Sequence, residues 1–214
     1  MGKKLSNLFA KDIERLRNPL FRNKVSELVE AVSDVICTAP SSSTGKYHPN
    51  DELGEDGMFL HIKRCLALVD QACQKYNFLS YEKDVLMAGC ILHDVFKFGI
   101  EGGFDNPNNF TDVGTVYGHP QYIHDSIGEV IAYYTSMTIL FPDEREVLAM
   151  LKDLQTACAW HEGRWTTVTA RMEKPTRIAK AMHEIDYWAS RREIYDIMRP
   201  EWSEKAKKEY NDNI

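Results

Sequence analysis

His93 and Asp94 stand together near the end of an apolar run from Val85 to Phe96, and Lys97 follows the aspartate by three residues. Adjacent side chains on a helix diverge by about 100°, so both reach one cation only at a helix terminus, or when two cations lie between them. The pair gains meaning from His61, His124 and His161, each on or beside a separate predicted helix, and from Asp186 on a later one. Imidazole and carboxylate suit Mn, Fe, Ni, Zn or Co, and helical proteins build metal sites by collecting such ligands from several helices. Two metals about 3.5–4 Å apart would hold a hydroxide between them and stabilise charge on both oxygens of an in-line displacement at phosphorus.

Positive groups have a place in that chemistry. Lys97 lies one turn after His93 on the same side of its helix, where its ammonium would neutralise charge growing on a phosphate oxygen. Arg164, in the stretch HEGRW, offers a planar fork for the same task, and Lys46 in an early loop offers another cation. Plainer roles compete with each of these. A lone buried histidine is more often a hydrogen-bonded core residue than a ligand, and Lys97 at a helix C-terminus is also what the dipole favours. His119 competes with His124, and His183, one turn before Asp186, could ligate or orient a ligand; Asp186 is preferred. His48, before a proline, reads as a surface or substrate-loop residue, and Trp160 and Trp165 as core.

The elements that must position these residues are helical. Apolar periodicity predicts helices over 5–17 and 23–37, broken at Asn18-Pro19. A Ser/Gly/Pro-rich loop spans residues 38–60, and His61 opens a helix that runs to Tyr76. Ser80 is the expected cap of the next helix, with Glu82 and Asp84 in its first turn. Gly, Asn and Pro between 99 and 120 mark a second long loop, laid over the end of the His93-Asp94 helix. Helical patterns resume over 121–139 and 143–160, and from Pro175 at a first-turn position to Met198. No segment alternates with period two. The expectation is an all-α fold: one compact bundle with N-terminal helices (1–37) on a core (61–198), two long loops over the metal site, and a polar tail over 199–214.

Composition narrows the function classes. A chain of 214 residues with 43% hydrophobic content suits a single domain, and its apolar stretches are interrupted before membrane-spanning length. The N-terminus lacks the apolar block of a signal peptide, so a cytoplasmic location is expected. Cys37, Cys65, Cys73, Cys90 and Cys158 form no C-x-x-C pair and read as reduced packing residues. A formal net charge of −6, with no basic run except KAKK near the C-terminus, argues against binding duplex nucleic acid.

Taken in order, His61, the His93-Asp94-x-x-Lys97 block, His124 with Gly128, His161 in HEGRW and Asp186 in IDYWASR resemble the HD (histidine-aspartate) superfamily of metal-dependent phosphohydrolases. The resemblance covers residues 61–192. It implies that His61, His93, Asp94 and Asp186 hold a first metal. It further implies that Asp94 bridges to a second ion held by His124 and His161, and that Lys97 contacts phosphate; roles for Lys46 and Arg164 are inferred from their charge. The expected activity is hydrolysis of a phosphoester of a nucleotide or related small phosphorylated substrate by a metal-bound hydroxide. Two alternatives share the centre: a 3′–5′ exonuclease or phosphodiesterase on single strands, and a di-iron oxygenase. A single-strand exonuclease wants a basic track or an OB-type domain, and neither is evident.

Overall fold

Apolar residues at helical spacing become helices throughout, and among the described residues there is no strand. The computed structural model describes residues 4–32, 34–42, 46–97, 118–137, 139–166 and 174–191. The helices are α1 (Leu5–Leu8), α2 (Ala10–Glu14), α3 (Pro19–Glu30), α4 (Gly57–Tyr76), α5 (Ser80–Leu92), α6 (His119–Ser136), α7 (Pro142–Ala159) and α8 (Arg177–Ala189). Short 3-10 turns occupy Asp34–Thr38, Asn50–Glu52 and Gly163–Trp165. The fold is all-α. No helix of the described residues is long and apolar enough to cross a membrane.

Helices α4, α5, α7 and α8 pack on one another, and α6 lies along α7. One hydrophobic cluster unites them with the N-terminal segment: Leu5, Leu8, Phe9 and Leu16 are buried with Ile62, Leu86, Ile91, Leu151 and Met182. Phe9 meets Phe59 with ring centroids 5.5 Å apart. Beside them Lys63 of α4 pairs with Asp12 of α2 at 2.6 Å, both side chains being nearly excluded from solvent. The buried carboxylate of Asp84 accepts from the backbone N–H of Arg17 at 2.8 Å, which ties the turn before α3 to α5. The expected dipole role of Asp84 therefore gives way to a tertiary one.

Several boundaries differ from the sequence reading, each for a local reason. The helix expected over 5–17 is broken at Phe9 into α1 and α2. Helix α3 begins earlier than residue 23 because Asn18 caps it, its side chain accepting from Phe21 N–H at 3.0 Å, with Pro19 preset for the first turn. Ser80 is not a cap. Instead Glu82 reaches back to accept from the backbone N–H of Leu79 at 2.7 Å. Pro175 likewise precedes the cap of α8, which is Thr176, its side chain accepting from Ala179 N–H at 3.1 Å.

The stretch 38–60 is more structured than a loop, since it carries the Asn50–Glu52 turn and the first turn of α4. His61 accordingly sits in the second turn of that helix. Most of the second expected loop and the tail from 199 lie outside the described residues.

Candidate metal centre

Helix α5 ends at Leu92, and His93 and Asp94 leave it as a turn begins. That terminus lets the two side chains share one region despite their divergence along a helix. His61 enters from α4 and Asp186 from α8. His61 Nε2 lies 3.3 Å from His93 Nε2 and 3.1 Å from Asp186 Oδ1, while Asp94 Oδ2 is 3.5 Å from His93 Nε2 and 3.8 Å from His61 Nε2. The Cys65 sulfur, one turn after His61, is 3.7 Å from His61 Nε2.

A second group gathers on the other oxygen of the same aspartate. Asp94 Oδ1 lies 3.0 Å from His119 Nε2 and 3.3 Å from His161 Nε2, and those two nitrogens are 3.1 Å apart. His119 comes from the first turn of α6 and His161 from just beyond α7. The ligand-capable atoms of His61, Cys65, His93 and Asp186 all lie within 4.8 Å of one another, as do those of Asp94, His119 and His161. Asp94 thus stands between two sets of imidazoles, one facing each of its oxygens.

Tautomers show what such a centre requires. His93 Nδ1 donates to Cys90 O at 3.0 Å, and His161 Nδ1 donates to Cys158 O at 2.6 Å. With the proton on Nδ1, each neutral ring turns a bare Nε2 lone pair inward, towards other acceptors. Asp94 Oδ1 has no hydrogen-bond partner although it is buried. Acceptors facing acceptors in a dry interior repel unless cations lie between them, so the donor set fits divalent metals. His61, His93, Asp186 and Asp94 Oδ2 would hold one ion, and Asp94 Oδ1, His119 and His161 a second.

Without metal, protons do part of that work. Burial alone would raise the pKa of Asp94, but the charge of Lys97 and the nearness of His93 outweigh it and hold the carboxyl well below the usual range. Asp186 is likewise held low against burial by its contacts with His61 and His93. His161 is pushed up, its contact with Asp94 overcoming desolvation, whereas burial prevails at His119 and pushes it down. The Cys65 thiol is pushed up to about 11 by burial. It is a neutral thiol at physiological pH.

No protein-family model, curated protein or solved structure matches this chain. What the site can do therefore rests on its own geometry.

His61, His93, Asp94, His161 and Asp186 are brought together; His124 is not. His124 is partly exposed, with Nδ1 2.9 Å from Asp125 Oδ1. His119 takes the expected place of His124 because α6 begins there, and five residues of helix turn His124 about 140° away. Gly128 serves packing instead, since a Cβ there would lie 3.0 Å from Gln155 Nε2 of α7. His183 is a prop. Its Nδ1 donates to the backbone carbonyl of His161 at 2.6 Å, and its ring fills the space beside Gly163, where a Cβ would come within 2.6 Å.

Lys97 ion-pairs with Asp94 Oδ2, at the edge of the first group. Arg164 is exposed and stacks on Trp165 at 4.3 Å, so Trp165 is not core. The Lys46 ammonium lies 5.1 Å from the Tyr47 ring. A cation that sequence reasoning missed is Arg191, set between the rings of Tyr47 at 4.3 Å and Tyr187 at 4.1 Å. Those tyrosines are the sequence neighbours of His48 and Asp186. Also missed was Glu162, whose Oε1 is 3.7 Å from His119 Nε2.

Proposed function

We propose that this chain is an HD-type, metal-dependent phosphohydrolase acting on a nucleotide or related small phosphoester. The observation that carries this reading is Asp94, one oxygen towards His61 and His93 and the other towards His119 and His161. A carboxylate so placed is suited to space two divalent cations for displacement at phosphorus. Bound there, such ions supply Lewis acidity to phosphoryl oxygens and lower the pKa of water.

The protein's own residues do the rest. Asp94, His93 and His161 fix the centre, the two histidines through Nδ1–H bonds to backbone carbonyls that lock their rings. Lys97 is drawn to Asp94 and sits where its ammonium can turn to a non-bridging phosphate oxygen as charge grows there. Arg191, its plane held by two tyrosines, presents a fork suited to a further phosphate oxygen, and the tyrosine faces suit a nucleobase.

The test is a hydrolysis screen with metal-free and Mn²⁺-loaded protein against nucleoside mono-, di- and triphosphates, cyclic dinucleotides and short oligonucleotides, with metal counted. The expected result is metal-dependent release of phosphate or nucleotide from at least one small substrate. An anaerobic repeat should give the same product, whereas a strict need for O₂ would assign the centre to oxygenase chemistry. Failure of the metal-loaded protein on every substrate would overturn the proposal.

A further inference from the structure

Behind His61, on the side away from the centre, lies a buried polar cluster that neither ligand group uses. Glu52 is fully buried. Its Oε2 lies 2.7 Å from His48 Nδ1, 3.2 Å from Ser41 Oγ and 3.5 Å from His61 Nδ1. Its Oε1 accepts from Arg64 Nη1, and the other arm of the same guanidinium takes Asp51 at 2.7 and 2.8 Å. The backbone is fixed too, because Glu52 O accepts from Ser41 N–H at 2.9 Å and from Ser41 Oγ at 3.1 Å. Gly57 closes the cluster: a Cβ there would meet Glu52 O at 2.0 Å, so only glycine lets α4 start against this turn.

His61 is the one imidazole of the first group whose Nδ1 has no backbone carbonyl to hold it, and that buried nitrogen lacks a hydrogen-bond partner. Its Nε2 already faces His93 and Asp186. We infer that Glu52 is the positioning carboxylate of His61, accepting a hydrogen bond from its Nδ1–H so that Nε2 turns its lone pair towards the first metal. This rests on the proposed function, since it assumes that His61 ligates.

A carboxylate in this place does what a carbonyl does for His93, and more strongly, because an anion also makes the ring a better donor to metal. Bonds from Arg64, His48 and Ser41 hold Glu52 so that it cannot swing away. The contact at 3.5 Å is long for a hydrogen bond, and it is expected to shorten when a cation draws His61 Nε2 and increases the acidity of Nδ1–H. The same three ligand-type side chains, His48, Glu52 and His61, come close enough to suggest a metal of their own. Arg64 argues against that, since its guanidinium already supplies the positive charge that Glu52 needs.

The experiment compares the 214-residue chain with its Glu52→Gln variant, both stripped by chelation and titrated with Mn²⁺ while the fold is followed by circular dichroism. Glu52→Gln should weaken one of the two Mn²⁺ binding steps, that of the ion held by His61, roughly 10- to 100-fold with helicity retained. Equal affinity within about twofold would overturn the inference alone, while a wild-type chain that takes up no Mn²⁺ would overturn it together with the proposed function. Loss of one whole equivalent from a stoichiometry above two would make Glu52 a ligand instead, which also overturns it.

Should Glu52→Gln fail to fold, the wild-type chain decides. Nitrogen-15 spectra of the Zn²⁺-loaded protein should show His61 protonated at Nδ1 and coordinated through Nε2. The opposite assignment would remove the role given to Glu52.

Discussion

His119 Nε2 lies 3.0 Å from Asp94 Oδ1, although the chain between them includes a long segment rich in glycine and asparagine. That contact makes the second group, because His161 alone would leave this oxygen with a single imidazole. It predicts a clear division between two nearby histidines. His119→Ala should lose one equivalent of metal, and His124→Ala should retain both, by metal analysis of the purified variants. Loss of metal from His124→Ala would reverse the assignment.

Asp94→Ala removes the one side chain shared by both groups. Metal content and hydrolysis should fall together, activity by more than about a hundredfold, while the helical circular dichroism signal persists. Retained hydrolysis would show that the chemistry happens elsewhere.

Lys97→Ala is expected to act differently. Its ammonium pairs with Asp94, so removing it takes a competing cation from that oxygen and leaves metal binding intact or stronger. Turnover should nonetheless fall, by about a hundredfold if the lysine stabilises the transition state as one oxyanion donor does. Full activity with two metals bound would remove that role.

The stability of the metal-free protein should depend on pH with opposite signs on the two sides of the ordinary imidazole value, about 6.5. His161 is pushed up by Asp94, despite burial, so its contribution is complete below 6.5 and is lost as pH rises through the raised folded value. His119 and His48 are pushed down by burial, so between their folded values and 6.5 stability increases with pH. Melting temperature after chelation should therefore peak near neutrality and decline above it. Added metal, which needs the protons gone, should restore most on the alkaline side. A melting temperature that climbs steadily to pH 9 without metal would contradict this.

Gly57→Ala tests the close approach of α4 to Glu52. The added methyl would collide with a backbone carbonyl, which cannot rotate away as a side chain can. About 1–3 kcal/mol of stability should be lost in chemical denaturation, with weaker metal binding. A neutral substitution would mean that the turn at Asn50–Glu52 yields freely.

Much of this centre was legible in the chain, but unevenly. His61, His93, Asp94, His161 and Asp186 could be found because each sits on or beside a strongly periodic segment, and the all-α fold follows from the same periodicity. His124 was chosen over His119 because the start of α6 was hidden: Gly118 and Pro120 look like loop, whereas the proline is tolerated in the first turn of the helix. Angular position cannot be worked out without a starting residue. Glu52 was missed, and His48 was read as a surface or substrate-loop residue although its side chain is largely buried beside Glu52, for a related reason, since the segment that carries them has no apolar period. Its order comes from Arg64 and Gly57, which lie further along the sequence. Trp165 was assigned by hydrophobicity, but it is exposed and stacked with Arg164.

Helix α8 serves both halves of the centre at once. Asp186 faces His61, and one turn earlier His183 holds the carbonyl of His161. Any excursion that lifts α8 from the bundle would withdraw an acid from the first ligand group and slacken the support of the second in a single movement. On the proposed reading, loss of metal would be cooperative with local opening, and exchange protection of the α8 amides should rise when metal is added.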